Sequence, residues 1–100
     1  MARIDAARRR DDAGQVWTLA QVEVEIAGIV AQLTPGVDPG AIQRASRFRD
    51  DLGWDDWSLL RVVKPVWRRL HETLSDYVVK ELRRVGELMD YVWSKMEDVT

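Results

Sequence analysis

One hundred residues suffice for one small domain with a single core and no staples. The absence of cysteine removes both a disulfide framework and a thiolate metal site, and agrees with a cytoplasmic setting. The 15 basic and 17 acidic residues nearly cancel, so bulk charge gives no general pull toward nucleic acid or a membrane surface. No apolar run nears the roughly 20 residues of a spanning helix.

Residues 1–16 set Arg3, Arg8, Arg9 and Arg10 against Asp5, Asp11 and Asp12, with few large apolar side chains. Such a segment buries too little to offset its ordering entropy, so it is expected to be a flexible N-terminal arm, or a short frayed helix over residues 4–10. The ordered domain is expected over residues 17–100. Thr18 with Gln21 three residues on forms a capping-box pattern, and Trp17 against Val22 forms a hydrophobic staple. Val22, Ile26, Ile29, Val30 and Leu33 recur at helical spacing, and Thr34-Pro35-Gly36 stops the helix.

Residues 35–51 form a long loop with a helical turn expected over 41–45; Phe48 and Leu52 anchor its end. A second helix starts at Asp55 or Asp56, either of which caps it and suits its dipole. Leu59, Leu60, Val63, Val66, Trp67 and Leu70 form its apolar face. Pro65 would clash with the carbonyl of Arg61, which predicts a kink there or a break near Lys64. Ser75-Asp76 caps a short third helix through Val78, Val79 and Leu82. A fourth carries Val85, Leu88, Met89, Val92 and Met96, and with only Gly86 between them the two could run together. There is no strand signal and no internal repeat, so the pattern predicts a small all-α bundle.

The stretch with chemical potential is residues 49–60, where Asp50, Asp51, Asp55 and Asp56 fall around Trp54 and lead into Trp57. Carboxylates could bind a hard cation, but the EF-hand spacing and its glycine are missing, so no metal site is expected. His71 has no serine or cysteine nucleophile indicated nearby and is expected to be a surface residue; no enzyme activity is expected. Trp54 and Trp57, beside a charged rim, are candidate binding anchors, one of them packing on the core. Trp67 and Trp93 lie on or beside apolar stripes and are expected to line the core or a groove. Arg61, Lys64, Arg68, Arg69, Arg83 and Arg84 would serve a nucleic-acid face, but the net charge of −2 and the adjoining acidic loop argue against one.

Asp51-Leu52-Gly53-Trp54-Asp55 resembles the Asp-Leu-Gly-x-Asp that precedes the phosphopantetheine-bearing serine of acyl carrier proteins, and Phe48 matches the phenylalanine that opens that motif. In the same register, Val85-Gly86-Glu87-Leu88-Met89-Asp90-Tyr91-Val92 is similar to the family's closing Val-x-x-x-Ile-Asp-Tyr-Ile segment. Leu70, Val79 and Leu82 fall on inward positions of the family's helices. The resemblance covers about residues 18–97 and implies a four-helix bundle with a short third helix.

Three departures bear on function. Asp56 occupies the attachment position, and a carboxylate cannot form the stable phosphodiester that a serine hydroxyl makes with the prosthetic arm. Trp57 replaces the leucine that follows the serine. The second helix carries Arg61, Lys64, Arg68 and Arg69 where typical members are acidic, and a helix of that sign should repel the usual basic partner surfaces. The resemblance therefore implies a member that has lost its attachment serine and acts as a protein-interaction or accessory module. Its partner would be a protein, such as an enzyme of acyl or polyketide metabolism, met through Trp54, Asp55, Asp56, Trp57, Arg61, Lys64 and Arg68. No cofactor is expected. The alternative is a divergent working carrier in fatty-acid, lipid or polyketide synthesis with 4'-phosphopantetheine on Ser58. A noncovalent acyl ligand between the helices is a further expectation, whereas nucleic acid and a membrane span are not.

Overall fold

The computed structural model describes residues 7–99. Helix α1 (Leu19–Gln32) begins where its capping chemistry places it. The Thr18 hydroxyl accepts the Gln21 N–H at 3.2 Å, and the Gln21 side-chain oxygen accepts the Thr18 N–H at 2.9 Å. Its buried stripe is Val22, Ile26, Ile29 and Val30. Past its end the Thr34 hydroxyl donates to the Val30 carbonyl at 2.8 Å, and Pro35 prevents continuation.

The long loop holds a single 3-10 turn at Pro39–Ala41, earlier than the turn expected over 41–45. Beyond it the chain runs beside residues 83–86. Arg47 and Arg84 form an antiparallel bridge; the Phe48 N–H donates to the Arg83 carbonyl at 3.0 Å and the Val85 N–H to the Ser46 carbonyl at 2.9 Å. This pairing takes up the backbone that would otherwise join helix α4 (Asp76–Glu81) to helix α5 (Val85–Lys95), so the two are separate.

Pro65 breaks the second helix rather than bending it. Helix α2 (Asp56–Leu60) ends at Arg61, and helix α3 (Val63–Leu70) begins two residues later. The interruption thus starts at the residue whose carbonyl the proline ring would strike, and Pro65 itself sits in the first turn of α3, where a missing N–H leaves no bond unmade. Trp67 does not join the apolar face: it is 57% exposed, while Val66 and Leu70 point inward. With α2 and α3 taken as one interrupted rod, four helical rods enclose a core that includes Ile26, Phe48, Leu59, Leu70, Val79 and Leu88.

The all-α expectation is corrected by a three-stranded antiparallel sheet. Strands β1 (Arg8–Arg10), β2 (Val16–Thr18) and β3 (Glu97–Asp98) lie in the order β2-β1-β3, with Arg9 opposite both Trp17 and Asp98. Residues 7–16 are therefore the greater part of a hairpin, not a flexible arm; residues 1–6, where part of the alternative helix fell, lie outside the described residues. Local turn chemistry explains the hairpin. One Asp11 carboxylate oxygen accepts the N–H groups of Ala13 and Gln15, both at 2.9 Å, and Gly14 takes φ 89°, a value glycine adopts without penalty. Val16, Trp17 and Thr18 then suit a pleated strand. The Arg9 guanidinium lies 4.7 Å from the centroid of the Trp93 ring and donates to the Trp93 carbonyl at 2.8 Å, which pins β1 to α5.

Candidate functional site

The loop from Arg47 to Asp55 delivers the start of α2 by ordinary capping and turn chemistry. Asp51 folds back on Arg47: its carboxylate accepts the Arg47 N–H at 2.7 Å and faces the guanidinium at 3.3 Å. The backbone hydrogen bond first, and the guanidinium second, hold the Asp51 carboxyl below the usual carboxylate range. Gly53, at φ 71°, turns the chain so that Trp54 points back into the protein. Asp55 is the N-cap and accepts the Ser58 N–H at 2.9 Å. That bond, reinforced by the Ser58 hydroxyl, lowers the Asp55 carboxyl below its ordinary value.

The two tryptophans part company. Trp54 is buried; its ring stacks on Phe48 with centroids 5.1 Å apart and 26° between planes, and its indole N–H donates to the Thr34 hydroxyl at 2.9 Å. Trp54 is thus removed from the expected contact surface, because its polar edge finds a partner and its faces find a stacking ring. Trp57 is 78% exposed at the start of α2. Beside it, Asp56, Trp57 and Leu60 line a small cleft of about 140 Å³ with Lys80 of α4. Asp55, Arg61, Lys64 and Arg68 are all exposed. Asp56 is also exposed and is ion-paired to Arg49. The four carboxylates do not converge on one another: Asp50 and Asp51 go to Arg47, Asp56 to Arg49, and Asp55 to the helix start.

Some placements had no signal in the periodicity. Arg44 clamps α1 to α5, with its guanidinium 2.6 Å from Glu23 and 2.7 Å from Asp90. His71 is not a free surface residue: it closes α3 in the left-handed region, at φ 55°, with Nδ1 2.9 Å from the buried Asp11 carboxylate. The neighbouring Glu72 is 1% exposed and has one carboxylate oxygen without a hydrogen-bond partner among the described residues. Burial, followed by the charges of Asp12 and Asp11, raises its pKa to about 7. An Asp-Asp-Ala-Gly turn before a β-branched and aromatic run was the available clue to this cluster. An apolar groove of about 490 Å³ lies along α1, where Ala20, Val24, Ala27, Ile42 and Met89 border it.

Fold and site together define a small helical domain that presents one capped helix start on a long loop. No protein-family model matches the chain. Curated relatives do: the acyl carrier proteins of two strains of Tropheryma whipplei, Twist and TW08/27, are each 36% identical over 67 residues, which is 67% of this chain and 80% of the relative. The acyl carrier protein of an Exiguobacterium species is 28% identical over 79 residues, covering 79% of this chain and 99% of the relative. The chain belongs to the acyl carrier protein family. No helix among the described residues is long and apolar enough to cross a membrane.

Kinship with acyl carrier proteins corrects the expectation that no cofactor bears on this site, because members of that family normally carry 4'-phosphopantetheine. The residues at the start of α2 meet that group unevenly. Asp56 does not fit a phosphodiester, since it offers no hydroxyl and its carboxylate is held by Arg49. Ser58 offers a hydroxyl, half-buried and turned toward the Asp55 carboxylate.

Proposed function

We propose that this acyl-carrier-family chain has lost the attachment serine at position 56 and works as a protein-interaction module, docking on an enzyme of acyl metabolism through the start of α2. The observation that carries the proposal is Trp57, a large aromatic 78% exposed at the start of α2, with the charged Asp55, Asp56, Arg61, Lys64 and Arg68 exposed along the same interrupted rod. Exposed aromatics within a charged rim are the side chains from which docking surfaces draw most of their energy. The basic residues after Trp57 select a partner face that is acidic, since like charges in contact can cost several kcal/mol. Tyr77 on α4, 85% exposed and one turn from Lys80, extends the same aromatic and basic surface.

The test is to incubate the natural chain and its Ser58→Ala variant with coenzyme A and a promiscuous phosphopantetheinyl transferase, then weigh both. An unchanged mass upholds the proposal. A gain of one phosphopantetheine by the natural chain, lost in Ser58→Ala, overturns it in favour of a divergent working carrier modified at Ser58.

A further inference from the structure

Four arginines meet at one cleft beside the attachment loop. Arg47 and Arg49 come from the loop and Arg83 and Arg84 from the α4–α5 junction; with Asp50 they line a concavity of about 310 Å³. The convergence is built into the backbone, because the bridge between Arg47 and Arg84 and the bond from the Phe48 N–H to the Arg83 carbonyl fix the two segments side by side. Like charges brought this close need compensation, and the carboxylates supply only part of it at the cleft itself. Arg47 shares Asp50 and Asp51, both at 3.3 Å, Arg49 is drawn to Asp56, and Arg84 donates to the Ala45 carbonyl at 3.2 Å. The Arg83 guanidinium has no ion-pair partner among the described residues. Along the lining stand four arginines and one carboxylate, with Glu87 acting on Arg83 and Arg84 from outside the cleft.

We propose that this cleft is a noncovalent binding site for a small phosphate-bearing anion, a diphosphate or phosphate ester of a small molecule. Guanidinium groups are planar forks that grip phosphate oxygens two at a time, and several of them suit an anion with more than one charge. The volume lies at the small end of ligand sites, which run from roughly 300 to 1,000 Å³, so it admits a small phosphate-bearing molecule. Arg49 joins this cleft to position 56. Asp56 competes for that guanidinium, so bound anion and Asp56 carboxylate oppose each other.

Pyrophosphate is the probe, titrated into the full chain at low ionic strength while amide and arginine Nε resonances are followed by NMR. The signals of Arg47, Arg49, Arg83 and Arg84 should move together on one saturable curve. Arg83→Gln with Arg84→Gln should weaken binding about tenfold or more, as loss of charge-assisted hydrogen bonds requires. Arg10→Gln with Arg69→Gln, the same charge change away from the cleft, should leave the affinity unchanged, and Asp56→Asn should strengthen it. Arg83→Gln alone, which breaks no ion pair among the described residues, serves if the double variant does not fold. Absence of a saturable shift, or equal weakening by the Arg10 and Arg69 pair, would overturn the proposal. Neither outcome depends on whether Ser58 accepts phosphopantetheine.

Discussion

Glu72 holds an ionisable group where a carboxylate is hardest to keep charged. It is 1% exposed, one oxygen lacks a partner among the described residues, and Asp12 and Asp11 add repulsion, so its pKa rises from 4.5 to about 7. Between those values the folded chain holds a proton that the unfolded chain has lost. The stabilising contribution is therefore complete at pH 4.5 and below, falls as pH rises, and is gone above about 7. The loss is on the order of 3 kcal/mol, taking roughly 1.4 kcal/mol per pH unit. Asp11 acts in the other direction. Burial works to raise its pKa, but hydrogen bonds from Trp17, His71, Gln15 and Ala13 outweigh it, so its contribution exists above 3.8 and is lost at lower pH. Urea unfolding followed by tryptophan emission should accordingly be hardest near pH 4–5, and Glu72→Gln should flatten the decline toward pH 8. A natural chain as stable at pH 8 as at pH 5 would contradict this account of Glu72. None of it could be read from the sequence, where Glu72 is one acid among many; the acids that act on it lie about sixty residues away in a hairpin with no apolar alternation in its first strand. The tryptophans were half legible. One of Trp54 and Trp57 was expected on the core, but which one depends on Gly53 turning the chain and on the Thr34 hydroxyl waiting for an indole N–H.

At the scale of elements, local signals located the starts of α1 and α2 and, through Pro35 and Pro65, their ends, whereas long-range pairing divided α4 from α5. The capping box at Thr18 and the N-cap at Asp55 are contained within four residues each, and both stand where the sequence indicated. The division between α4 and α5 has no comparable local mark, because it is imposed by residues 44–48 lying against 83–86. Gly86 is the contact on which that junction depends. A Cβ there would meet the Arg44 Cβ and carbonyl oxygen at 3.0 Å, and the same carbonyl accepts the Gly86 N–H at 2.9 Å, so it cannot withdraw without losing that bond. Two effects oppose each other in Gly86→Ala. Better helix propensity contributes at most about 1 kcal/mol, whereas overpacking against backbone costs about 1–3 kcal/mol. Gly86→Ala should therefore destabilise the chain by about 1 kcal/mol in chemical denaturation. Gly28, with open space around its Cβ position inside α1, supplies the contrast: Gly28→Ala should be neutral or stabilising by up to about 1 kcal/mol. Equal effects at the two sites would show that the Arg44 contact does not limit packing.

On the scale of the whole molecule, the helical bundle of the acyl carrier family carries a small sheet that joins residues near its two ends. β1 lies between β2, which leads into α1, and β3, which follows α5. Three consecutive arginines showed no alternation of apolar and polar residues, so β1 was illegible as a strand; it forms because Trp93, Trp17 and Asp98 receive it from distant parts of the chain. Asp11 is the fastener. One of its oxygens closes the hairpin turn, and the other takes the Trp17 indole N–H at 2.8 Å and faces His71 Nδ1 at 2.9 Å. Asp11→Asn preserves the shape and leaves one acceptor oxygen for the turn, but its NH₂ group cannot accept from Trp17. Imidazole can exchange tautomers to receive a hydrogen bond, whereas indole cannot, so one buried donor is left unmatched at a cost of about 1–3 kcal/mol. Because the fault lies between sheet and bundle, the loss should be local. Hydrogen exchange should accelerate at residues 8–18 and 97–98 while the amides of α1 and α5 keep their protection, and Trp17 emission should shift to the red. Uniform acceleration across α1, α5 and the sheet would mean instead that the sheet and the helices unfold as one unit, and that Asp11 supports the family fold itself rather than an addition to it.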